Sequence, residues 1–168
     1  MTSATQNATT TQVYRVYIKA TPEAVWDAIT KPEWTQRYGY GGIPEFDLRP
    51  GARYVIHPDE AMAQFPGIPD DIIDGEILES DPPRRLSMTW RMLMDPAMAA
   101  EGFTKLTYEI DPTETSGTRL TVIHELEGAP TLAAMVGGGA EAEGAGGGWA
   151  WALSDLKSLL ETGKRLAD

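Results

Sequence analysis

The side chains in this sequence that could do chemistry are few in kind. Cysteine is absent, which removes thiolate nucleophiles, disulfides and Cys-based zinc sites together. The two histidines, His57 and His124, are distant in the chain and neither belongs to a local metal-ligand pattern. The P-loop, the HExxH zinc pattern and the nucleophile elbow are all missing. Gly137, Gly139 and Ala142 have the spacing of a dinucleotide loop, but they do not open a helix directly after a strand, and Glu141 and Glu143 would repel phosphate. No cofactor and no metal are expected. Carboxylates are plentiful, so an enzyme of cyclase or hydrolase type using His124 or a buried acid stays an alternative. The leading expectation is binding without catalysis.

The residues that point to a binding site are mostly apolar. Alternation from Arg84 onward places Leu86, Met88, Trp90, Met92 and Met94 on one strand face. Three methionines around a tryptophan suit ordinary packing, and they equally suit the adaptable, polarizable wall of a ligand cavity. In the following strands Leu106, Tyr108 and Ile110 share an inner face, as do Leu120, Val122, His124 and Leu126. His124 is the expected polar anchor, with Trp90 as the aromatic wall beside it. Trp34, next to a glycine-rich turn, is the candidate for the mouth; Phe46 and Leu153 complete the lining from the sheet edge and the last helix.

These residues need a frame. Val13 to Ile18 alternates as a half-buried strand, with Tyr14, Val16 and Ile18 on one side. Thr21-Pro22 supplies an N-cap and the proline favoured at the first helical position, so a short helix follows, carrying Val25, Trp26 and Ile29 inward. Pro32 breaks it, and Lys31 to Tyr38 reads as a second short helix. Gly39 to Pro44 reads as a turn, and Phe46 and Leu48 lead to a tight turn at Arg49-Pro50-Gly51 before a strand from Ala52 to His57. Four further strands are expected over Ile72 to Glu79, Arg84 to Met94, Phe103 to Ile110 and Thr118 to Leu126, joined by short connections that favour antiparallel pairing. Trp149, Leu153, Leu156, Leu159 and Leu160 recur at helical spacing, and Gly163 stops the helix. The Pro58 to Asp71 loop and the glycine-rich Gly137 to Gly148 segment are expected to be mobile gates.

The 168 residues, 42% of them hydrophobic, fit one domain over 13–163 between a flexible tail, 1–12, and a short C-terminal tail, 164–168. A net charge of −11 opposes docking on nucleic acid or anionic lipid, and no apolar run is long enough for membrane insertion. The expectation is a soluble, cytoplasmic protein. The acids from Asp70 to Asp81 are expected to form a solvated strand face.

Several motifs share one resemblance. Ala20-Thr21-Pro22-Glu23-Ala24-Val25-Trp26-Asp27-Ala28-Ile29-Thr30, followed by Pro32-Glu33-Trp34, resembles the opening of the family named for activators of the ninety-kilodalton heat-shock protein ATPase. Asp47-Leu48-Arg49-Pro50-Gly51, the Gly75 to Leu86 stretch running into Thr89-Trp90, and Gly148-Trp149 agree with it in order. That family is a branch of the superfamily of birch-pollen-allergen (Bet v 1-like) and START lipid-transfer domains, abbreviated SRPBCC. The resemblance implies an α+β helix-grip fold: a curved antiparallel sheet of six to seven strands wrapped around a long C-terminal helix, with two short helices after strand one. It implies a container for a small apolar or amphipathic molecule, with a protein partner of co-chaperone type, or a homodimer, as the alternative.

Overall fold

In the computed structural model, which describes residues 10–143 and 146–166, the alternating segments become seven strands of one sheet. They are β1 (Thr11–Ile18), β2 (Ile43–Glu45), β3 (Arg53–His57), β4 (Ile73–Asp81), β5 (Arg85–Met92), β6 (Thr104–Pro112) and β7 (Thr118–Glu125). Their spatial order is β1-β7-β6-β5-β4-β3-β2, and every pairing is antiparallel. The first strand therefore closes against the last, with Tyr14 opposite Val122 and Ile18 opposite Thr118. A register shift between Ile77 and Glu79 is a bulge that bends β4 and helps curve the sheet.

Six helices accompany the sheet: α1 (Pro22–Thr30), α2 (Pro32–Thr35), α3 (Glu60–Ala63), α4 (Pro96–Ala100), α5 (Pro130–Val136) and α6 (Gly148–Thr162). The Thr21 hydroxyl accepts the Ala24 N–H at 3.1 Å, and Pro22 occupies the first turn of α1. At the other end of the chain α6 stops at Gly163, whose φ of 80° lets its N–H reach the Leu159 carbonyl at 2.9 Å.

Three features depart from the sequence expectation. The strand sought around Phe46 and Leu48 lies one step earlier, at Ile43–Glu45, inside the stretch read as a turn; Pro44 is tolerated because β2 is an edge strand. The short helices α3 and α4 appear where loops were expected, and α5 in a stretch given no element from the sequence, each started by an acid. Asp59 accepts the Met62 N–H at 2.8 Å, Asp95 accepts the Ala97 N–H at 2.8 Å, and Glu101 accepts the Thr131 and Leu132 N–H groups at 2.9 and 3.0 Å. One member of the acidic run departs from a solvated face: Asp74 is buried and held by both nitrogens of an Arg91 fork at 2.9 and 2.7 Å, while Asp70, Glu76 and Glu79 are exposed. The described structure runs slightly beyond both domain limits, from Thr11 in β1 to Leu166, which bonds back to Asp155. Of the glycine-rich segment, residues 144–145 lie outside the described residues; Glu141–Glu143 forms a 3-10 turn.

The core lies between the concave face of the sheet and α6, with α1 closing one end. Ile18, Val25, Ala28, Leu120, Val122 and Leu156 are sealed there together. Beside them Asp155 of α6 is wholly buried, yet it is fully partnered. Its carboxylate accepts the Gly39 N–H at 2.9 Å, the Leu166 N–H at 2.8 Å, and the Arg165 guanidinium at 2.9 and 3.1 Å. Burial pushes its pKa up, but the two backbone N–H groups and Arg165 outweigh that and hold it below the usual value.

Candidate functional site

Two adjoining chambers interrupt this core, under the N-terminal half of α6. The first, of about 160 Å³, is walled by Trp90, Met92 and Met94 from the end of β5, by Met135 and Val136 from α5, and by Ile73 of β4. The second, of about 170 Å³, runs behind it along the sheet over Met88, Leu106, Tyr108 and Phe46, with Tyr38 and Thr35 on the far side. Tyr40, Ile73, Trp90, Trp149 and Ala152 line both, so they form the partition and the shared roof. For brevity they are the methionine chamber and the tyrosine chamber.

Two small residues, Gly148 and Ala152, thin the roof. Gly148 opens α6 at φ 66°, and a Cβ there would stand 2.2 Å from the Val136 carbonyl oxygen, so only glycine lets α5 and α6 approach this closely. One turn on, Ala152 is the side chain facing the tyrosine chamber, where a leucine would fill it.

Trp149 is fixed by a relay of hydrogen bonds. Its indole N–H donates to His124 Nδ1 at 3.1 Å; His124 Nε2 lies 2.8 Å from Thr104 Oγ1; the Thr104 hydroxyl donates to the Trp90 carbonyl at 2.9 Å. An indole can only donate, so Nδ1 must be the acceptor and the proton sits on Nε2. Thr104 has spent its own hydrogen on Trp90 and accepts that proton. The ring is therefore neutral with a fixed tautomer, and burial pushes its pKa down to about 4. Edge-to-face ring contacts brace the chain, with Trp90 and His124 centroids 5.2 Å apart and His124 and Trp149 centroids 6.0 Å apart.

The structure sorts the residues nominated from the sequence into two groups. Trp90, Met88, Met92 and Tyr108 line the chambers, as the strand alternation requires, and Phe46, just past β2, joins them. His124, Val122, Leu153 and Trp34 do not. His124 is 0% exposed, lies beneath Trp149 and has both nitrogens committed, so it positions the wall instead of facing a ligand. Val122 and Leu153 belong to the sealed core. Trp34 of α2 is stacked under the Arg37 guanidinium at 4.7 Å, while its neighbours Thr35 and Tyr38 turn toward the chamber. Sequence reading missed Tyr40, Gly148 and Ala152, which carry no periodic signal, and Tyr38, which was taken only as a helix end. The expected lid from Pro58 to Asp71 contributes no residue to either chamber.

His57 belongs to a separate environment. It bonds Glu45 through Nε2, and its Nδ1 lies 3.0 Å from the Asp70 carbonyl and 3.1 Å from the Asp71 carboxylate. The Glu45 hydrogen bond, then the Asp70 carbonyl, raise its pKa above the ordinary value. This cluster ties the end of the Pro58 to Asp71 loop to β2 and lines neither chamber. Among the described residues no group of three or more His, Asp or Glu side chains could hold a metal ion, and no helix is long and apolar enough to cross a membrane.

A curved antiparallel sheet gripping one long helix defines the α+β helix-grip class. Within it the chain belongs to the family described as Activator of Hsp90 ATPase homolog 1-like protein, which matches residues 19–161. The fold is shared with solved structures. MLL2253 from Mesorhizobium loti is 25% identical with a TM-score of 0.64, over 89% of this chain and 96% of that one. NE0264 from Nitrosomonas europaea is 23% identical with a TM-score of 0.62, over 96% and 100%. PFC0360w, an HSP90 activator from Plasmodium falciparum, is 18% identical with a TM-score of 0.52, over 70% and 73%. No curated protein matches the chain.

Proposed function

We propose that this protein binds a small, largely apolar molecule in the paired chambers under α6, without transforming it. One observation carries the reading: apolar space of this size opens between the sheet and α6, beside a closely packed core. Protein interiors are close-packed and leave few voids larger than a water molecule. The two chambers open at the rim, where Tyr40 is 45% exposed, and together they reach the lower end of the ~300–1,000 Å³ typical of ligand pockets. The polar groups available support binding without catalysis. His124 has no free nitrogen, and neither chamber is lined by a carboxylate, lysine, arginine or histidine.

Native mass spectrometry of freshly purified protein tests the reading, together with titration by the neutral dye N-phenyl-1-naphthylamine. A non-covalent adduct, or saturable dye emission accompanied by quenching of tryptophan fluorescence as Trp90 and Trp149 transfer to the dye, is the expected result. Protein that arrives bare and leaves the dye dark at every concentration would end it.

A further inference from the structure

The tyrosine chamber contains four side-chain hydroxyls, and their hydrogen bonds separate one from the rest. Thr35 donates to the Gly42 carbonyl at 2.7 Å, and Tyr38 donates to the Ala28 carbonyl at 2.9 Å. Tyr40 accepts the Gly148 N–H at 3.0 Å and, at 45% exposure, stands at the rim where water can take its proton. Tyr108 makes no hydrogen bond to any described residue. Its hydroxyl is nonetheless not sealed by packing. On the inner face of β6, Thr104, Leu106 and Ile110 are buried, whereas Tyr108 between them is only partly buried, with the chamber over it. Its ring meets Trp149 edge-on at 6.2 Å, which fixes its direction.

A donor left without a partner in an apolar interior is costly, and orphaned donors are rarer in native proteins than under-used acceptors. Burial also pushes the Tyr108 phenol well above the ordinary tyrosine range, so it keeps its proton and remains a donor. What Tyr108 lacks is an acceptor bonded to its hydroxyl. The cavity lacks positive charge: no lysine or arginine lines either chamber, so a buried carboxylate or phosphate would have no counter-charge. Resting on the binding function proposed above, we infer that the Tyr108 hydroxyl is the polar anchor of the cavity and selects neutral, compact ligands that carry one carbonyl-type oxygen. The apolar body of such a ligand lies against Trp90 and Met88 while its oxygen accepts the Tyr108 proton. A fatty acid or an acyl phosphate is the wrong class.

Three bicyclic probes of one shape separate this inference from the cavity reading: 2-acetylnaphthalene, 2-isopropylnaphthalene and 2-naphthoate, titrated by calorimetry against the wild type and Tyr108→Phe. In the wild type the ketone binds about five- to tenfold tighter than the hydrocarbon, the difference a neutral hydrogen bond makes. The naphthoate binds at least about tenfold more weakly than the ketone. In Tyr108→Phe the preference for the ketone disappears while the hydrocarbon affinity is kept. Equal binding of ketone and hydrocarbon by the wild type overturns the anchor and leaves the cavity standing, and this comparison needs no variant to fold. Equal loss of both probes in Tyr108→Phe also overturns it, by making Tyr108 a matter of shape. If none of the three binds the wild type, the cavity reading fails and takes the anchor with it.

Discussion

The two halves of α6 lie on the same sheet but are held to it by different means. In the C-terminal half Leu156 and Leu159 are buried, and a buried carboxylate, Asp155, ties the helix to Gly39, Arg165 and Leu166. In the N-terminal half the helix presents Gly148, Trp149 and Ala152, and the tie is a neutral relay through His124 and Thr104. The first half closes the core and the second spans a gap in it. Stability and capacity are thus assigned to different turns of one helix, because a leucine fills space and an alanine leaves it.

The strongest way to break this comparison is at Leu156, which is 1% exposed. Leu156→Ala removes a side chain from close packing and should cost about 2–5 kcal/mol in chemical denaturation. A loss below about 1 kcal/mol would mean that the C-terminal half is no better packed than the other.

Acid should act on the relay. The His124 pKa is lower in the folded state, about 4, than the ordinary value of 6.5. Between those limits the unfolded chain binds a proton that the native state refuses. The stability due to His124 is therefore complete above about pH 6.5 and is lost as pH falls toward 4, by up to about 3 kcal/mol. In His124→Phe that part of the decline should vanish, whereas the contribution of carboxylates below pH 4 should persist. Identical pH profiles for the two proteins would show that the relay does not keep the ring neutral. His57, with its raised pKa, has the opposite sign: its contribution is present at low pH and fades as pH rises through the folded value.

The smallest expected change in stability sharpens the comparison most. Ala152→Leu should leave stability within about 1 kcal/mol of wild type, since the new methyl groups enter existing space. N-phenyl-1-naphthylamine binding should fall at least about tenfold, because the space is gone. A loss of several kcal/mol, as overpacking of a full core produces, would show that no chamber lies beneath Ala152.

How much of this was legible in the sequence depends on whether a feature repeats. The strands with period-two patterns and the leucines of α6 were readable, as was Gly163 as the stop, because each rests on local spacing. The helices α3, α4 and α5 were not, although Asp59-Glu60 and Asp95-Pro96 carried a cap signal; they are too short for a stripe. The chamber wall from Met88 to Met92 followed from alternation. Its roof did not: Gly148 and Ala152 matter for what they lack, and small residues show no period. His124 was correctly placed on the inner face, yet whether it meets a ligand or Trp149 is decided by a residue 25 positions away.

The two small residues over the tyrosine chamber differ in their freedom to change during descent. Gly39 holds φ 59° and gives its N–H to Asp155, so the backbone itself forbids replacement. Ala152 is an ordinary helical position, 3.6 Å from where a Cβ on Gly39 would lie, and nothing but emptiness keeps it small. Under the binding function proposed above, a lineage can resize the chamber through a single codon, shallower with valine or leucine and deeper with glycine. Inheritance of the scaffold and drift of the chamber's size are uncoupled at that one side chain.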